Sequence, residues 1–308
     1  MSNTREMKQE WKMVKQGKVR SVYEPVDNST IRPQLVALVA GDGVSAFDEK
    51  LGVSVPDKGK YLTKISAGWF NHFIENTGYL TAFVTANDDE LPEYFQRPEF
   101  YGRTTIMQKM RMLPVEAIIR GYITGSAWKA YQNGEREICG VKLEDGLENC
   151  GKFKEPIFTP TTKAPVGQHD ENLTHKELVE ILASAKLGIP DPAHYAVVLE
   201  NLAINIYKVG AEYALRHGVI LADTKLEFGI DDYDHLKVAD ELFTPDSSRF
   251  WYANRYAPGK DQESMDKQII RNYIADEKAA GRRVDDIPDS ILKKTASAYA
   301  YCHSLLFS

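Results

Sequence analysis

Three charged residues alternate along a segment whose pattern is otherwise that of a buried strand. Asp223, Lys225 and Glu227 follow an apolar triplet at residues 219–221, and because side chains alternate along a β-strand, the three share one face. Many such charged stripes lie on solvated surface strands, but the triplet indicates burial on both sides, and buried charges need partners or a metal. Two carboxylates flanking an ammonium group would suit a site that holds Mg²⁺ and a phosphate together.

A second charged segment follows a hairpin-like stretch at residues 229–235. An antiparallel return of the chain would bring Asp240 near Glu227. Arg249 lies beyond a Pro-Asp-Ser-Ser turn, which is a rigid setting for a guanidinium group that binds phosphate. A single arginine is also common on a solvated surface, so this segment alone leaves both interpretations open.

Two further segments could contact phosphate groups. Arg120 ends a predicted strand and Ser126 begins a helical stretch; free backbone N–H groups at a helix start attract anions, although Ser126 could also be a simple N-cap. Gly17 and Lys18 precede a strand-like run, and a glycine turn beside a lysine could cover the phosphates of ATP. This pair is not a Walker A sequence and, taken alone, is more often structural.

The elements that must position these residues change from strand-rich to mixed along the chain. Strands are predicted at residues 19–23, 35–40, 104–112 and 115–119, and from 219 onward. Helices are predicted over 62–74 with Gly78 as the end, 174–186, 194–217, about 262–280 and 289–305. The stretch 133–172 is rich in Gly, Pro, Thr and charge and predicts long ordered loops. This order is typical of an α+β fold.

Pro114 is a candidate domain junction, because proline cannot donate a hydrogen bond in a central strand. It predicts an N-terminal β-rich domain over residues 1–113. The second predicted domain, 114–308, is α+β and carries the C-terminal helices from about 262. A chain of 308 residues is long enough for two such domains.

Composition excludes several classes of protein. A net charge of −6 argues against a nucleic-acid partner. The longest apolar runs are far shorter than the ~20 residues that span a bilayer, and the polar start lacks the apolar region of a secretory signal. Three cysteines without metal-like spacing are typical of reduced thiols, so we expect a cytoplasmic protein without a membrane partner.

Several long segments resemble SAICAR synthetase, the phosphoribosylaminoimidazole-succinocarboxamide synthase family. Its two signature segments resemble PVEAIIRGYITGS (114–126) and LADTKLEFG (221–229). Further similar segments are GKVRSVYE (17–24), VPDKGKYLTKIS (55–66), FTPTTKAPVGQHDENLT (158–174), DELFTPDSSRFW (240–251) and SMDKQIIRNY (264–273). The likeness runs from about residue 15 to 275 in the family's order and is similar to its longer, yeast-like branch.

The resemblance implies a fold and a reaction. The fold would be akin to ATP-grasp and kinase-like architectures, with ATP between two α+β domains, the first binding the nucleotide and the second binding metal and substrate. The reaction would condense the carboxylate of CAIR, an aminoimidazole ribonucleotide, with the amino group of L-aspartate, giving SAICAR, ADP and phosphate in purine biosynthesis. ATP and Mg²⁺ would be required. The oligomeric state stays open, with a monomer as the default expectation.

The resemblance also implies roles for individual residues. The implied Mg²⁺ ligands are Glu227 and Asp240. The implied catalytic residues are Lys225, Asp223 and Lys267. The implied ATP-binding residues are Gly17, Lys18, Met112 and Lys225. The backbone of Met112 would contact adenine. The implied substrate-binding residues are Asp42, Ser45, Asp48, Arg120, Ser126, His169, Asp170, Glu171, Arg249 and Lys267. Of these, Arg120, Ser126 and Arg249 match family positions that bind the 5′-phosphate of the ribonucleotide.

Two positions depart from the family pattern. The family usually reads Asp-Arg-Ile-Ser-Ala-Phe/Tyr-Asp where this chain has Gly43 in place of the arginine, and Ser21 stands where the family often has Asp. These departures motivate one alternative, a nucleotide-binding protein without catalytic activity. A second alternative is a small-molecule kinase, which would release a stable phosphorylated product and would not require aspartate.

Overall fold

An antiparallel five-stranded sheet begins the chain. The structure, a computed structural model, describes residues 10–27, 34–46, 49–163, 169–284 and 286–307. The sheet order is β1-β2-β3-β7-β6, with the bounds β1 Trp11–Gln16, β2 Arg20–Pro25, β3 Leu35–Ala40, β6 Phe83–Thr85 and β7 Thr104–Gln108. Alternation along β3 buries Ala37 in an aromatic cluster, whereas Val36 and Leu38 face a cavity. One face of this sheet is therefore core and the other lines the cavity.

The second sheet has seven strands arranged around one long strand, and its strand pairs are antiparallel. Its members are β8 Arg111–Met112, β9 Val115–Tyr122, β12 Lys152–Phe158, β13 Thr161–Thr162, β14 Val219–Ile230, β15 Leu236–Ala239 and β16 Ser248–Tyr252. Strand β14 is central and pairs antiparallel with β9, β15, β16 and β8. Leu226 and Phe228 on β14 enter the main core, whereas Asp223, Lys225 and Glu227 line the cavity. The predicted common face of the three charged residues is confirmed, and Thr224 also lines the cavity.

Six helices and two small hairpins complete the described residues. The helices are α1 Lys58–Asn76, α2 Gly125–Gln132, α3 His175–Ser184, α4 Pro192–Arg216, α5 Gln268–Ala279 and α6 Asp289–Phe307. The hairpins are β4 Gly43–Ala46 with β5 Glu49–Ser54, and β10 Glu137–Ile138 with β11 Val141–Lys142. Thr174 and Glu177 form a capping box at the start of α3. Among the described residues, no helix has the length and apolar character needed to cross a membrane.

The helices are amphipathic and close the core from outside. Helix α1 buries Leu62, Ile65, Trp69 and Phe70 at helical spacing, and α4 packs along β14. The largest core cluster contains residues on both sides of Pro114. The division into domains at this proline stays a prediction.

Four expectations about elements were wrong in detail. The predicted strand 104–112 is two strands in different sheets, because β7 pairs with β3 while β8 pairs with β14. The stretch 133–172 contains four short strands. One of them, β12, forms because it pairs with β9. Strand β9 continues beyond Arg120 to Tyr122, and α5 begins at Gln268 instead of about 262. These boundaries depend on pairing between distant segments, which a local pattern does not contain.

Candidate active site

A cavity of about 720 Å³ is lined by residues of both large sheets. A concave site of this size with converging polar groups is typical of a small-molecule binding site. The predicted residues that line it are Gly17, Lys18, Met112, Arg120, Ser126, Asp170, Asp223, Lys225, Glu227, Asp240, Arg249 and Lys267.

Two guanidinium groups meet one carboxylate at the end of the cavity formed by β9, β14 and β16. Asp223 lies opposite Arg120 in one strand pair and opposite Arg249 in the other. Its Oδ2 accepts hydrogen bonds from Arg249 Nη1 and, at 3.5 Å, from Arg120 Nη1. Arg120 Nη2 also lies 3.4 Å from Ser126 Oγ. Two cations share one buried carboxylate, so this end, which we call the arginine end, has a surplus of positive charge.

The backbone of Gly125 lies so close to the Arg249 side chain that only a glycine fits at this position. Gly125 has φ +58°, and a Cβ there would lie 2.4 Å from Arg249 Nη2. Any side chain would therefore displace the guanidinium group, besides straining the backbone. Thr124 precedes α2 as its N-cap, so the interpretation of Ser126 as a simple N-cap was wrong. Ser126 is the second residue of the helix and faces Arg120 instead.

Lys225 occupies the middle of the cavity and contacts a carboxylate that the sequence reasoning missed. Its Nζ lies 2.5 Å from Glu116 Oε1. Burial alone would lower the pKa of Lys225, but the charge and hydrogen bond of Glu116, together with the charge of Glu227, raise it above its ordinary value. The lysine therefore stays protonated at neutral pH. A lone glutamate inside the apolar run of β9 was the available signal for Glu116.

Carboxylates outnumber cations at the opposite side of Lys225. Glu227 pairs with Ala239 across β14 and β15, so the next residue, Asp240, lies beside it, as predicted. Glu227 forms an ion pair with Lys163, and Arg20 contacts Glu241 and, at 3.9 Å, Asp240. Burial, aided by the charges of Glu227 and Glu241, raises the pKa of Asp240 to about 6 against the opposing charge of Arg20. We call this region the acidic end.

The acidic end fits a hard cation that keeps other ligands. Among the residues that the structure describes, no group of three or more His, Cys, Asp or Glu is arranged to hold a metal. A pair of carboxylates is nevertheless the usual protein contribution to Mg²⁺, because this ion is completed by water and phosphate oxygens. Crowding of like charges at Asp240 is the kind of electrostatic cost that a bound divalent cation relieves.

The glycine hairpin between β1 and β2 covers the cavity next to an apolar wall. The Gly17 N–H donates to the Arg20 carbonyl at 2.7 Å, and a Cβ on Gly17 would lie 2.9 Å from that oxygen. Val36 and Met112 are part of the wall beside it. This arrangement suits a nucleotide, whose phosphates would lie under the tight turn and whose flat base would lie against the apolar side chains.

Lys267 lies at the start of α5 beside Asp246 and Arg271, and all three line the cavity. Burial, aided by the charges of Arg271 and Lys58, lowers the pKa of Lys267 to about 8 against the opposing charge of Asp246. A lysine in this state loses its proton far more readily than one on the surface.

Comparison with known proteins identifies the family. The family model described as SAICAR synthetase matches residues 13–287. The chain belongs to the SAICAR synthetase family. The phosphoribosylaminoimidazole-succinocarboxamide synthase of Lachnospira eligens is 41% identical over 292 residues, which cover 94% of this chain and 93% of that protein.

Solved structures of the family share the fold. SAICAR synthase from Saccharomyces cerevisiae complexed with SAICAR aligns with a TM-score of 0.79 at 33% identity, covering 99% of this chain and 97% of that one. A SAICAR synthetase (Type-2) in complex with ADP aligns with a TM-score of 0.65 at 22% identity, covering 95% and 97%. The predicted α+β, SAICAR synthetase-like fold is confirmed.

The predicted function is confirmed at the level of the family. The chain is an ATP-dependent carbon–nitrogen ligase that condenses CAIR with L-aspartate to give SAICAR in purine biosynthesis. Neither a kinase that ends at a phosphorylated product nor a protein without activity agrees with this membership.

Three other predicted positions, Asp42, His169 and Glu171, are not among the residues that line the cavity. Asp42 accepts the Gly59 N–H at 2.8 Å and pairs with Arg103 at 3.2 Å; it does not line the cavity, and its contacts are those of a cap at the start of α1. His169 and Glu171 are also not among the lining residues. Asp48 and the side chain of Ser45 lie outside the described residues. The substrate roles of these residues stay predictions.

The two departures from the family pattern lie together. Ser21 and Gly43 both line a smaller cavity of about 230 Å³ beneath the glycine hairpin, with Arg103 beside them. The guanidinium of Arg103 reaches Asp42 from another element. Neither departure lines the main cavity, although the Gly43 carbonyl accepts a hydrogen bond from Lys58, which pairs with the cavity residue Asp246.

Proposed function

We propose that the 720 Å³ cavity performs the family reaction with ATP, Mg²⁺ and the ribonucleotide arranged along β14. The observation that carries this proposal is a single strand, β14, that presents Asp223, Lys225 and Glu227 to one cavity, with opposite charge surpluses at its two ends. A cationic region and an acidic region separated by one ammonium group match the charges of a ribonucleotide phosphate and a metal–nucleotide complex.

ATP is proposed to lie beneath the glycine hairpin. Gly17 and Lys18 would cover its phosphates, and Met112 would contact adenine through its backbone. The apolar side chains of Val36 and Leu38 face the same part of the cavity. The homologous structure with bound ADP supports nucleotide use by this fold.

Mg²⁺ is proposed to be held by Glu227 and Asp240. When bound, the ion neutralises phosphate charge during phosphoryl transfer. Lys163 and Arg20 already contact the same carboxylates. Both cations line the same cavity.

CAIR is proposed to bind with its 5′-phosphate at the arginine end. Arg120, Ser126 and Arg249 would contact the phosphate oxygens, because two guanidinium groups recognise phosphate with several charge-assisted hydrogen bonds. Asp223 contacts both arginines, so its contacts favour a positioning role over metal binding. The yeast homologue complexed with SAICAR supports binding of a ribonucleotide by this fold.

Lys225 is proposed to contact the transferred phosphoryl group, and Lys267 to contact L-aspartate or phosphate. A carboxylate oxygen is a poor leaving group, and phosphoryl transfer from ATP converts it to a better one before the amine attacks. Positioning and charge neutralisation supply most of the catalysis in such transfers. His169, Asp170 and Glu171 are proposed to belong to a loop that borders this site.

The enzyme is further proposed to act as a cytoplasmic monomer without nucleic-acid or membrane partners. Cys139, Cys150 and Cys302 carry no disulfide in the described part of the chain. Thiols of this kind agree with a reducing compartment.

The decisive experiment measures ADP release with ATP, Mg²⁺ and CAIR, with and without L-aspartate. We expect sustained release only when all are present, together with stoichiometric SAICAR. Sustained release at the same rate without aspartate would instead assign a kinase, and ATP binding without release under any condition would assign a protein without catalytic activity.

A further inference from the structure

One carboxylate on the cavity wall is held by side chains from distant parts of the chain. Asp246 Oδ2 accepts a hydrogen bond from Lys58 Nζ at 2.6 Å, and its Oδ1 accepts one from the Tyr299 hydroxyl at 2.9 Å. Lys58 also donates to the Gly43 carbonyl at 3.0 Å. Helices α1 and α6 and hairpin β4–β5 therefore converge on one residue that lines the substrate cavity.

Tyr299 acts in this arrangement as a hydrogen-bond donor. Its side chain is fully buried, and burial together with the charge of Asp246 raises the pKa of Tyr299 well above its ordinary value. The hydroxyl therefore keeps its proton. For Asp246, burial alone would raise the pKa, but the charges of Lys58 and Lys267 and the hydrogen bonds from Lys58 and Tyr299 outweigh it and hold the pKa below its usual range.

The turn that carries Asp246 touches both candidate catalytic lysines through the backbone. The Lys225 N–H donates to the Ser247 carbonyl at 2.9 Å, and the Lys267 N–H donates to the Pro245 carbonyl at 3.4 Å. A shift of this turn would therefore displace Lys225 and Lys267 together. The side chain of Asp246 is the anchor of the turn, since two donors fix its two oxygens.

We propose that Tyr299 is a positioning residue: from helix α6 its hydroxyl fixes Asp246, and through the turn at 245–247 it places Lys225 and Lys267 for the chemical step. The proposal rests on the function proposed above for the two lysines. Helix α6 begins at Asp289, beyond the residues 13–287 that match the family model. The contact thus links the cavity to a segment outside the matched region.

Loss of the hydroxyl leaves a buried charged acceptor without one of its donors. Such a carboxylate must rotate or draw in water, because an unsatisfied buried acceptor is costly. Either response moves the turn at the CAIR and aspartate side of the cavity. The glycine hairpin and the apolar wall form the nucleotide side of the cavity. In the described part of the chain, the Tyr299 hydroxyl bonds to Asp246 and not to either of them.

The test compares Tyr299→Phe with Tyr213→Phe. Tyr213 donates its hydroxyl to the Leu306 carbonyl at 2.8 Å, so its hydroxyl also anchors helix α6, but its acceptor, unlike Asp246, does not line the cavity. Each variant keeps its ring and the packing of that ring. Kinetic constants are measured for ATP, CAIR and L-aspartate separately, with the melting temperature of each protein.

We expect Tyr299→Phe to lower kcat/KM for CAIR and L-aspartate about tenfold or more, as for loss of a hydrogen bond to a charged group. The KM for ATP should change less than about twofold by the same reasoning, and Tyr213→Phe should match the wild type in all kinetic constants. Equal kinetic losses in both variants, unchanged constants in Tyr299→Phe, or a KM for ATP raised about tenfold in Tyr299→Phe would each overturn the proposal. Wild-type activity that needs no aspartate would overturn the proposed function instead, so the two failures are distinguishable.

Discussion

The arginine end and the acidic end of the cavity are built by the same strand and yet carry opposite charge. Asp223 and Glu227 lie four residues apart on β14 and face one cavity. Asp223 is shared by two arginines, whereas Glu227 lies beside further carboxylates and only Lys163 pairs with it in the described contacts. The strands paired with β14 at each point decide which charge is in surplus. A carboxylate in a motif therefore has no fixed role until its neighbours across the sheet are known.

The largest effect is expected at Lys225, which separates the two ends. We expect Lys225→Ala to lower kcat by ~10³, as for removal of a group that stabilises developing charge. The fold should survive, because Glu116 can take up a proton when its partner is removed. Steady-state ADP release and thermal unfolding provide the measurement.

Lys208→Ala is the matched control for this substitution. Lys208 lies on α4 and pairs with Glu155 on the surface, so its loss should leave kcat unchanged. Near-normal turnover in Lys225→Ala would show that Lys225, the ammonium group between the two ends, is not a catalytic residue.

A smaller effect, restricted to one substrate, is expected at the arginine end. Arg249→Ala should weaken CAIR binding about 10²-fold, since it removes charge-assisted hydrogen bonds to the phosphate. ATP binding should change little. Calorimetric titration with each ligand measures both affinities, and Arg255→Ala, which removes an exposed arginine paired with Glu263, serves as the control. Equal losses for CAIR and ATP would contradict the assignment of this end to the ribonucleotide.

The sequence predicted those parts of the site that depend on local pattern. The alternation of 221–229 placed Asp223, Lys225 and Glu227 on one face, and the turn after it brought Asp240 back beside Glu227. It did not predict that Asp223 would lie between Arg120 and Arg249, because this depends on the register of three strands distant in the chain.

Contacts between remote segments were missed for the same reason. Lys58 and Asp246 are separated by 188 positions and Tyr299 by 53 more, and no periodicity marks any of them. Glu116 was different, since a single charged residue within the apolar run of β9 is a local anomaly. The division at Pro114 was based on proline chemistry alone and stays a prediction.

A moderate effect is expected at the acidic end. Asp240→Asn should raise the Mg²⁺ concentration needed for half-maximal activity about tenfold, because an amide is a weaker ligand for a hard cation than a carboxylate. Activity titrated with Mg²⁺ at fixed ATP provides the measurement. Asp145→Asn changes an exposed carboxylate and should not move the requirement; an unchanged requirement in Asp240→Asn would count against metal ligation at this end.

The smallest effect on activity is expected at Asp231, immediately after β14. Its Oδ1 accepts the N–H groups of Tyr233 and His235 at 2.8 and 2.9 Å, and its Oδ2 lies 2.9 Å from Lys237 Nζ. Burial alone would raise the pKa of Asp231, but Lys237 and the two N–H groups lower it to about 2. Every acceptor is engaged within the turn, so this carboxylate is expected to stabilise the fold and to leave kcat unchanged.

The depressed pKa fixes the sign of the pH dependence. Because the folded pKa lies below the unfolded value of about 3.9, the carboxylate stabilises the protein above that value, and this contribution is lost as the pH falls toward 2. The full contribution at neutral pH is on the order of 2 kcal/mol. Asp231→Asn should therefore lower the free energy of unfolding at pH 7 and show a shallower loss of stability between pH 5 and 3, measured by urea unfolding. Wild-type stability at pH 7 would contradict the stabilising role of Asp231, and a marked loss of kcat would show that this carboxylate also contributes to catalysis.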